Sequence, residues 1–177
     1  RRSGPDYLAY ALLDTIVDNY LVLIERLGSQ IEEVEALRVE VLQTRGTDPR
    51  VMPDLAGMRA RIFAAKAPDG AWEAKIGRGR LQDIELLAQC FALRAGSAAR
   101  AVQAQLRTGP RIGLVGREDG ERLASARRFL WSLQCAGRLL TEKPLDMDNL
   151  GKGGQTFLLR ETGTASLEEL AERLAAT

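Results

Sequence analysis

The sequence has 177 residues, of which 45% are hydrophobic and 28% charged, and its formal net charge is +1 at pH 7. This balance gives no sign of a nucleic acid or an anionic membrane as a partner. The sequence contains no histidine, which removes the commonest general base and transition-metal ligand and excludes a Ser-His or Cys-His nucleophile pair. Its two isolated cysteines, Cys90 and Cys135, are expected to be small buried thiols in a reducing, cytoplasmic setting.

A long helical pattern opens the chain, with Pro5 and Asp6 suited to a helix start. Its apolar residues are spaced alternately by three and four, which is a heptad seam: Tyr10, Leu13, Val17, Tyr20, Ile24, Leu27, Ile31 and Val34. A second apolar stripe includes Leu8 and Leu23, and it favours burial of this helix against neighbouring helices. The alternative is a homo-oligomer through residues 10–41. We expect no apolar stretch of the ~18 residues needed for a membrane span.

A domain boundary is predicted in the stretch TRGTDPRVMP at residues 44–53, which combines one glycine and two prolines with polar residues. The charge balance changes at the same place, from a net −3 in residues 1–45 to +4 in residues 46–177. We therefore predict two parts, a long N-terminal helix over 1–45 and a helical domain over 46–177.

The remainder of the chain reads as further helices, because strand signals are nearly absent. The longest of them repeats apolar residues at spacings of three and four and must end before Pro144; its stripe is Leu123, Ala126, Leu130, Leu133, Gly137 and Leu140. A capping box at residues 166–169 predicts the start of the last helix. The predicted fold class is all-α, a bundle of about six or seven helices that includes the long heptad-patterned one.

The candidate site lies in the stretch KIGRGRLQDIELLAQ, residues 75–89. Gly77 and Gly79 form a turn before a helix whose first turns carry Asp83 and Glu85, and acidic side chains suit the positive end of a helix dipole. Glu85 borders the apolar face, with Gln89 one turn later. We expect these residues to anchor the glycine turn against a neighbouring helix, with Arg59, Arg61 or Arg128 pairing with Glu85.

Two other motifs contain residue types found in nucleotide-binding sites but lack the surrounding secondary structure that such sites need. Asp146 and Asp148 could suit a metal, but Pro144 predicts a helix exit and a turn there. The glycines around Lys152 lack the strand and spacing of a phosphate-binding loop. The sequence therefore predicts no catalytic residue, no metal site and no cofactor bound by this chain.

Residues 58–177 resemble the C-terminal helical domain of bifunctional glutamine-synthetase adenylyltransferase/deadenylylase. The resemblance rests on MRARI at 58–62, the 75–89 block, RRFLW at 127–131 and FLLRETG at 157–163. It implies a helical module that follows a nucleotidyltransferase domain and is inactive without it. In the full enzyme, AMP from ATP is transferred with Mg²⁺ to glutamine synthetase or removed from it, which controls nitrogen metabolism. The implied partners are glutamine synthetase and the PII signalling protein.

Residues 4–36, which open with GPDYLAYALLDTIVDNYLVLIERLG, resemble a cytoplasmic segment of CorA-type magnesium transporters. That family conducts ions through a pore with a Gly-Met-Asn signature after two membrane spans. The sequence has neither feature, so we do not expect transport. The resemblance implies an alternative function, an oligomerisation or interaction module built on this helix. Two resemblances that meet within residues 37–53 suggest a natural fusion, a chimera or a fragment.

Overall fold

The computed structural model describes residues 4–66, 68 and 70–177, and none of these residues lies in a β-strand. Its helices are α1 (Pro5–Arg45), α2 (Val51–Ala65), α3 (Leu81–Arg94), α4 (Val102–Leu106), α5 (Thr108–Arg111), α6 (Arg117–Leu140), α7 (Lys152–Thr162) and α8 (Leu167–Ala175). Only Arg107 separates α4 from α5, so counting these two as one gives seven helices. The predicted all-α fold with a long N-terminal helix is confirmed.

The chain divides into two units, the first ending at Val41 and the second spanning Leu42–Thr177. The first unit consists mainly of α1, whose predicted heptad seam is helical throughout. Its large apolar side chains are exposed; Tyr10 is 73% exposed, Val17 54% and Ile31 60%. Among the described residues of the first unit no other helix covers the second stripe, so the expected burial of α1 is not found there. The sequence pattern could not distinguish a stripe buried within the chain from one that would be buried only against another chain.

One stretch of α1 is long and apolar enough, by length and composition alone, to cross a membrane. It lies within Asp6–Arg45 and has a mean hydropathy of 1.4 over 18 residues. The expectation that no stretch reaches this length is therefore wrong. Core helices of soluble proteins and N-terminal signal sequences meet the same criterion, so the observation is weak evidence for a span.

The second unit has a hydrophobic core to which α3, α6, α7 and α8 all contribute. Ala88, Leu130, Leu158 and Leu170 have no exposed surface. The predicted apolar stripe of α6 faces this core, with Leu133 and Gly137 also buried. Helical periodicity in the sequence therefore identified the buried face of α6 correctly, because one partner surface in the same unit covers it.

Two glycines allow α5 to lie close to its neighbours. A side chain at Gly109 would bring its Cβ within 2.5 Å of the Phe91 ring of α3. A side chain at Gly120 would bring its Cβ within 2.5 Å of the Pro110 ring. The short helix therefore packs between α3 and α6 only because both positions lack a Cβ.

The start of α8 has the predicted capping box in a slightly shifted form. The hydroxyl of Ser166 accepts a hydrogen bond from the backbone N–H of Glu169 at 3.2 Å. The carboxylate of Glu169 in turn accepts from the N–H of Ala165 at 2.7 Å, one residue before the usual position. Two backbone donors at the helix start are thereby satisfied.

The two cysteines differ in their surroundings, although both are free thiols. Cys90 is buried in α3 as expected, and this burial raises the pKa of its thiol. Cys135 is exposed on α6, so the expectation of a buried thiol is wrong there. Its position on α6 falls opposite the apolar stripe of that helix.

We predict that Leu130→Ala lowers the free energy of unfolding by about 2–5 kcal/mol, because it removes a fully buried side chain and leaves a cavity. Urea denaturation followed by circular dichroism measures this change. Leu139→Ala is the matched control on the same helix, since Leu139 is 78% exposed and its truncation should change stability by no more than about 0.5 kcal/mol. Equal losses in the two variants would contradict the described core.

Candidate functional site

The glycine turn before α3 is held by backbone hydrogen bonds and by two glycines in left-handed conformations. The N–H of Leu81 donates to the carbonyl of Ala74 at 3.1 Å, and Gln82 donates to Lys75 at 3.0 Å. Gly77 has a φ of 138° and Gly79 a φ of 75°. Other residues adopt these conformations only with strain, so the sequence places glycine where the turn requires it.

Asp83 links this turn to α2. Its carboxylate accepts two hydrogen bonds from the Arg59 guanidinium, at 3.0 Å from Nε and 2.7 Å from Nη2. It also accepts the backbone N–H of Gly79 at 3.0 Å. Partial burial alone would raise the pKa of Asp83, but the bonds from Arg59 and Gly79 and the charge of Arg59 outweigh burial and lower it. The carboxylate is thus an ionised junction between a turn and two helices.

Glu85 faces a different arginine from those predicted. Its Oε1 lies 3.9 Å from Nη2 of Arg127 on α6, so the expected pairing with Arg59, Arg61 or Arg128 is wrong. The reason is geometric: Asp83 already takes Arg59, and Glu85 lies two residues further along α3, around the helix toward α6. Arg127 also stacks over the ring of Trp131 at 4.8 Å, a contact with no signal in the sequence beyond the i, i+4 spacing.

The remaining predicted residues, Gly77 and Gln89, make no hydrogen bond to Asp83 among those described. Gly77 belongs to the turn, where an added Cβ would lie 3.1 Å from Cγ of Arg80. Gln89 is exposed and borders a cleft of about 600 Å³ together with Met58 and Arg61. The structure thus brings Gly79 and Asp83 together, whereas Glu85 pairs with Arg127 and Gln89 lines the cleft beside Arg61. An anchoring role for all five residues stays a prediction.

A groove of about 680 Å³ opens beside the turn. Its lining is mainly apolar and comes from α3, α6, α8 and the segments beside them: Ile84, Leu87, Val115, Leu123, Ala126, Phe129 and Ala176, with Gly79, Asp83, Asp119, Arg122, Ser125, Arg173 and Thr177. Such a surface can bind an apolar segment of a protein or a small apolar ligand. Its charged groups lie where they could orient that ligand.

The C-terminal helix forms one wall of this groove, and sequence reasoning missed it. Arg80 donates to the carbonyl of Leu174, and a Cβ on Gly79 would come within 2.7 Å of the carbonyl oxygen of Thr177. Arg173 stacks over the Phe129 ring at 4.5 Å. These contacts join residues 44 to 98 positions apart in the sequence, so no local pattern could have indicated them.

The other candidate motif is a turn, as predicted. Asp146 accepts a hydrogen bond from the N–H of Asp148 at 3.0 Å and another from the side-chain amide of Asn149 at 2.6 Å. Across residues 4–66, 68 and 70–177, no group of three or more Cys, Asp or Glu side chains is placed to hold a metal ion.

These observations define a class, an all-α module whose candidate site is a braced turn beside an apolar groove. The family model described as GlnD PII-uridylyltransferase matches residues 58–177, a span that includes the turn, the groove and the whole of the core described above. The chain belongs to that family.

Curated relatives with significant similarity are named differently, as bifunctional glutamine synthetase adenylyltransferase/adenylyl-removing enzyme. The one from Rhodopseudomonas palustris strain TIE-1 is 26% identical over 155 residues, covering 84% of this chain and 15% of the relative. The one from Brucella suis biovar 1 is 30% identical over 159 residues, covering 85% of this chain and 15% of the relative. These shares exceed residues 58–177, so the similarity extends upstream of Met58.

The chain spans about 15% of the length of these relatives. No solved structure matches it significantly. The resemblance to the adenylyltransferase family is thus supported by independent relatives, whereas the comparisons give no support to the CorA-type resemblance of residues 4–36.

We predict that Asp83→Asn destabilises the protein at neutral pH and that this difference shrinks on acidification. Because the pKa of Asp83 is lowered in the folded state, its carboxylate stabilises the fold above the unfolded-state pKa of about 3.9. That contribution is lost as the pH falls through the folded-state pKa. Urea unfolding of both proteins at pH 7, 5 and 3 measures the difference.

The matched control is Asp119→Asn, because the Asp119 side chain is 62% exposed and lies 3.8 Å from its arginine partner. It should change stability little at any of these pH values. A loss in Asp83→Asn that is the same at every pH would show that the charge of Asp83 is not what braces the turn.

Proposed function

We propose that this chain is a non-catalytic helical module of a glutamine-synthetase adenylyltransferase-like protein. In the full enzyme, AMP would be transferred to or from glutamine synthetase, a reaction that serves nitrogen assimilation in the cytoplasm. The module would position the catalytic domain and contact protein partners, namely glutamine synthetase and the PII protein. The observation that carries this proposal is the similarity to adenylyltransferases over 84–85% of the chain.

The geometry supports a scaffolding role for the glycine turn. Asp83 is bonded to Arg59 on α2 and to the N–H of Gly79, which fixes the loop against two helices. A rigid turn beside an apolar groove of about 680 Å³ is suited to holding a segment of another domain or protein. Mg²⁺ and ATP would bind elsewhere in the full enzyme, since the described residues of this chain offer no carboxylate cluster for them.

Two measurements on the purified full chain test the two halves of this proposal. The chain incubated with ATP, Mg²⁺ and glutamine synthetase should transfer no AMP, because the catalytic residues belong to another domain. Surface-immobilised chain should bind glutamine synthetase or PII saturably in biolayer interferometry. Albumin serves as the control analyte.

The outcomes separate the two halves. AMP transfer by this chain alone would overturn the non-catalytic assignment, whether or not it binds its partners. Binding of neither protein would overturn the partner assignment. Binding of PII alone, without glutamine synthetase, would favour a module of the uridylyltransferase type that the matched family is named after.

A second candidate function, oligomerisation through α1, is favoured by the exposure of its seam. Leu27 is 56% exposed and Val34 63%, and such a stripe over a 41-residue helix needs a partner to be buried. Ile16 and Leu23 flank the seam with further exposed apolar surface. A seam widened in this way has more apolar surface than two helices can cover, which favours assemblies larger than a dimer.

We predict that gel filtration with light scattering finds an oligomer of the full chain and that Leu27→Asp converts it to a monomer. The buried charge in the seam would cost more than a packed leucine contributes. Val22→Asp is the matched control, because Val22 lies on α1 outside the seam and is 48% exposed; it should leave the oligomer intact. A monomeric wild-type chain, or one that requires lipid vesicles to stay in solution, would rule out this second function.

A further inference from the structure

Helix α6 carries a second face that the core does not use. At spacings of four and three residues along it lie Arg117, Glu121, Ala124, Arg128, Trp131 and Cys135. This row is on the opposite side of the helix from the buried stripe, and Ala124 alone among its members is not exposed. From Arg117 to Trp131 the row is about 21 Å long at the rise of an α-helix.

The N-terminal half of this row forms one wall of a cleft of about 350 Å³. Gln103 and Arg107 of the neighbouring segment line its other wall. We call this concave surface the arginine cleft, since it is lined by Arg107, Arg117 and Arg128 with Glu121 as its one acidic residue. Its shape is fixed by backbone packing, because Gly120 lies directly against Pro110.

The cleft has an excess of positive charge. Glu121 already accepts a hydrogen bond from Nε of Arg117 at 3.1 Å, so these two charges offset each other. Among the described residues, no carboxylate lies within ion-pair distance of the guanidinium of Arg107 or Arg128. Two arginines therefore face the cleft with their hydrogen-bond donors available to an anionic ligand.

Trp131 extends the cleft by one helical turn and is 47% exposed. Its ring is covered on one face by Arg127, which lies 4.8 Å from the ring centroid. The Arg127 side chain is only 18% exposed and pairs with Glu85 of α3. The indole is thus held in place before any partner arrives, which reduces the entropy lost on binding. Tryptophan and arginine are also the residues that contribute most to protein interfaces.

We propose that the arginine cleft and Trp131 form a docking surface for an acidic, extended segment of a partner protein. The length of the row accommodates about six residues of extended chain. Carboxylates of that segment would pair with Arg107 and Arg128, and an apolar side chain would lie on Trp131. A single-stranded nucleic acid fits less well, because the row has one exposed aromatic ring and an acidic residue where a nucleic-acid groove has stacked rings and a continuous basic track.

This inference deepens the proposed function, on which it rests only for the assumption that the module contacts proteins. The probe is a fluorescein-labelled, glutamate-rich peptide with one central phenylalanine, titrated with the full chain at about 50 mM ionic strength, where screening is weak. Fluorescence anisotropy should show saturable binding. The same peptide with glutamine in place of glutamate, and an oligothymidine of equal length, are the comparison ligands and should bind at least about tenfold more weakly.

The variants test the residues. Arg107→Glu with Arg128→Glu should weaken binding of the acidic peptide by at least about tenfold. The control double variant, Arg61→Glu with Arg138→Glu, changes the net charge by the same amount at exposed positions away from the cleft. It should change the affinity for the acidic peptide by less than about threefold. Trp131→Ala should also weaken binding, whereas Leu139→Ala, at an exposed position on the same helix, should not. Circular dichroism confirms that each variant is folded.

Three results would overturn the inference: no binding of the acidic peptide, equal loss in the two double variants, or tighter binding of the oligothymidine. Its fate is separable from that of the proposed function. If glutamine synthetase or PII binds while the acidic peptide does not, the arginine cleft is not the docking surface. If the peptide binds as expected and neither protein does, the arginine cleft is supported as a docking surface, and glutamine synthetase and PII are excluded as its partners.

Discussion

The second unit depends on the position of one buried helix, α3, which contacts α2, α4, α5 and α6. Its apolar face is buried: Ala88 has no exposed surface, and Phe91 is only 2% exposed. Both ends are fixed by arginine: Arg59 holds Asp83 at the N-terminus, and Arg94 donates to the carbonyl of Gly46 at 3.1 Å near the C-terminus. A rotation of α3 would therefore disturb four interfaces at once, which makes it the element that the glycine turn must hold.

The two acidic residues at the start of α3 each pair with an arginine that also contacts an aromatic ring, one on α2 and one on α6. Asp83 pairs with Arg59, which lies 5.3 Å from the ring of Phe63. Glu85 pairs with Arg127, which lies 4.8 Å from the ring of Trp131. In each case a guanidinium bridges a carboxylate and an aromatic face, a role for which lysine lacks the planar geometry. Helix α3 thereby orients two partly exposed aromatic rings that belong to its neighbours.

The sequence predicted what is local and missed what is distant. The alternating spacing of apolar residues located α6 and its buried face, and the four-residue spacing of Gly79 and Asp83 made their hydrogen bond foreseeable. Arg59 lies 24 positions from Asp83 and Leu174 lies 94 from Arg80, so these pairings depend on how helices cross. The choice of Arg127 rather than Arg128 for Glu85 turns on one step of 100° around α6, which periodicity cannot resolve without knowing the packing.

The exposed seam of α1 marks the other limit of sequence reasoning, because an apolar stripe has the same period whether its partner lies in the same chain or in another. The family match over residues 58–177 lies within the second unit, Leu42–Thr177, which buries its own apolar surface and includes the glycine turn and the arginine cleft. The seam of α1 belongs to the unit that buries almost none. Oligomerisation and partner docking thus use different surfaces. The seam of α1 is apolar and repeats along the helix, whereas the arginine cleft is charged and confined to one region of the second unit. A single chain can carry both, and loss of one leaves the physical basis of the other in place.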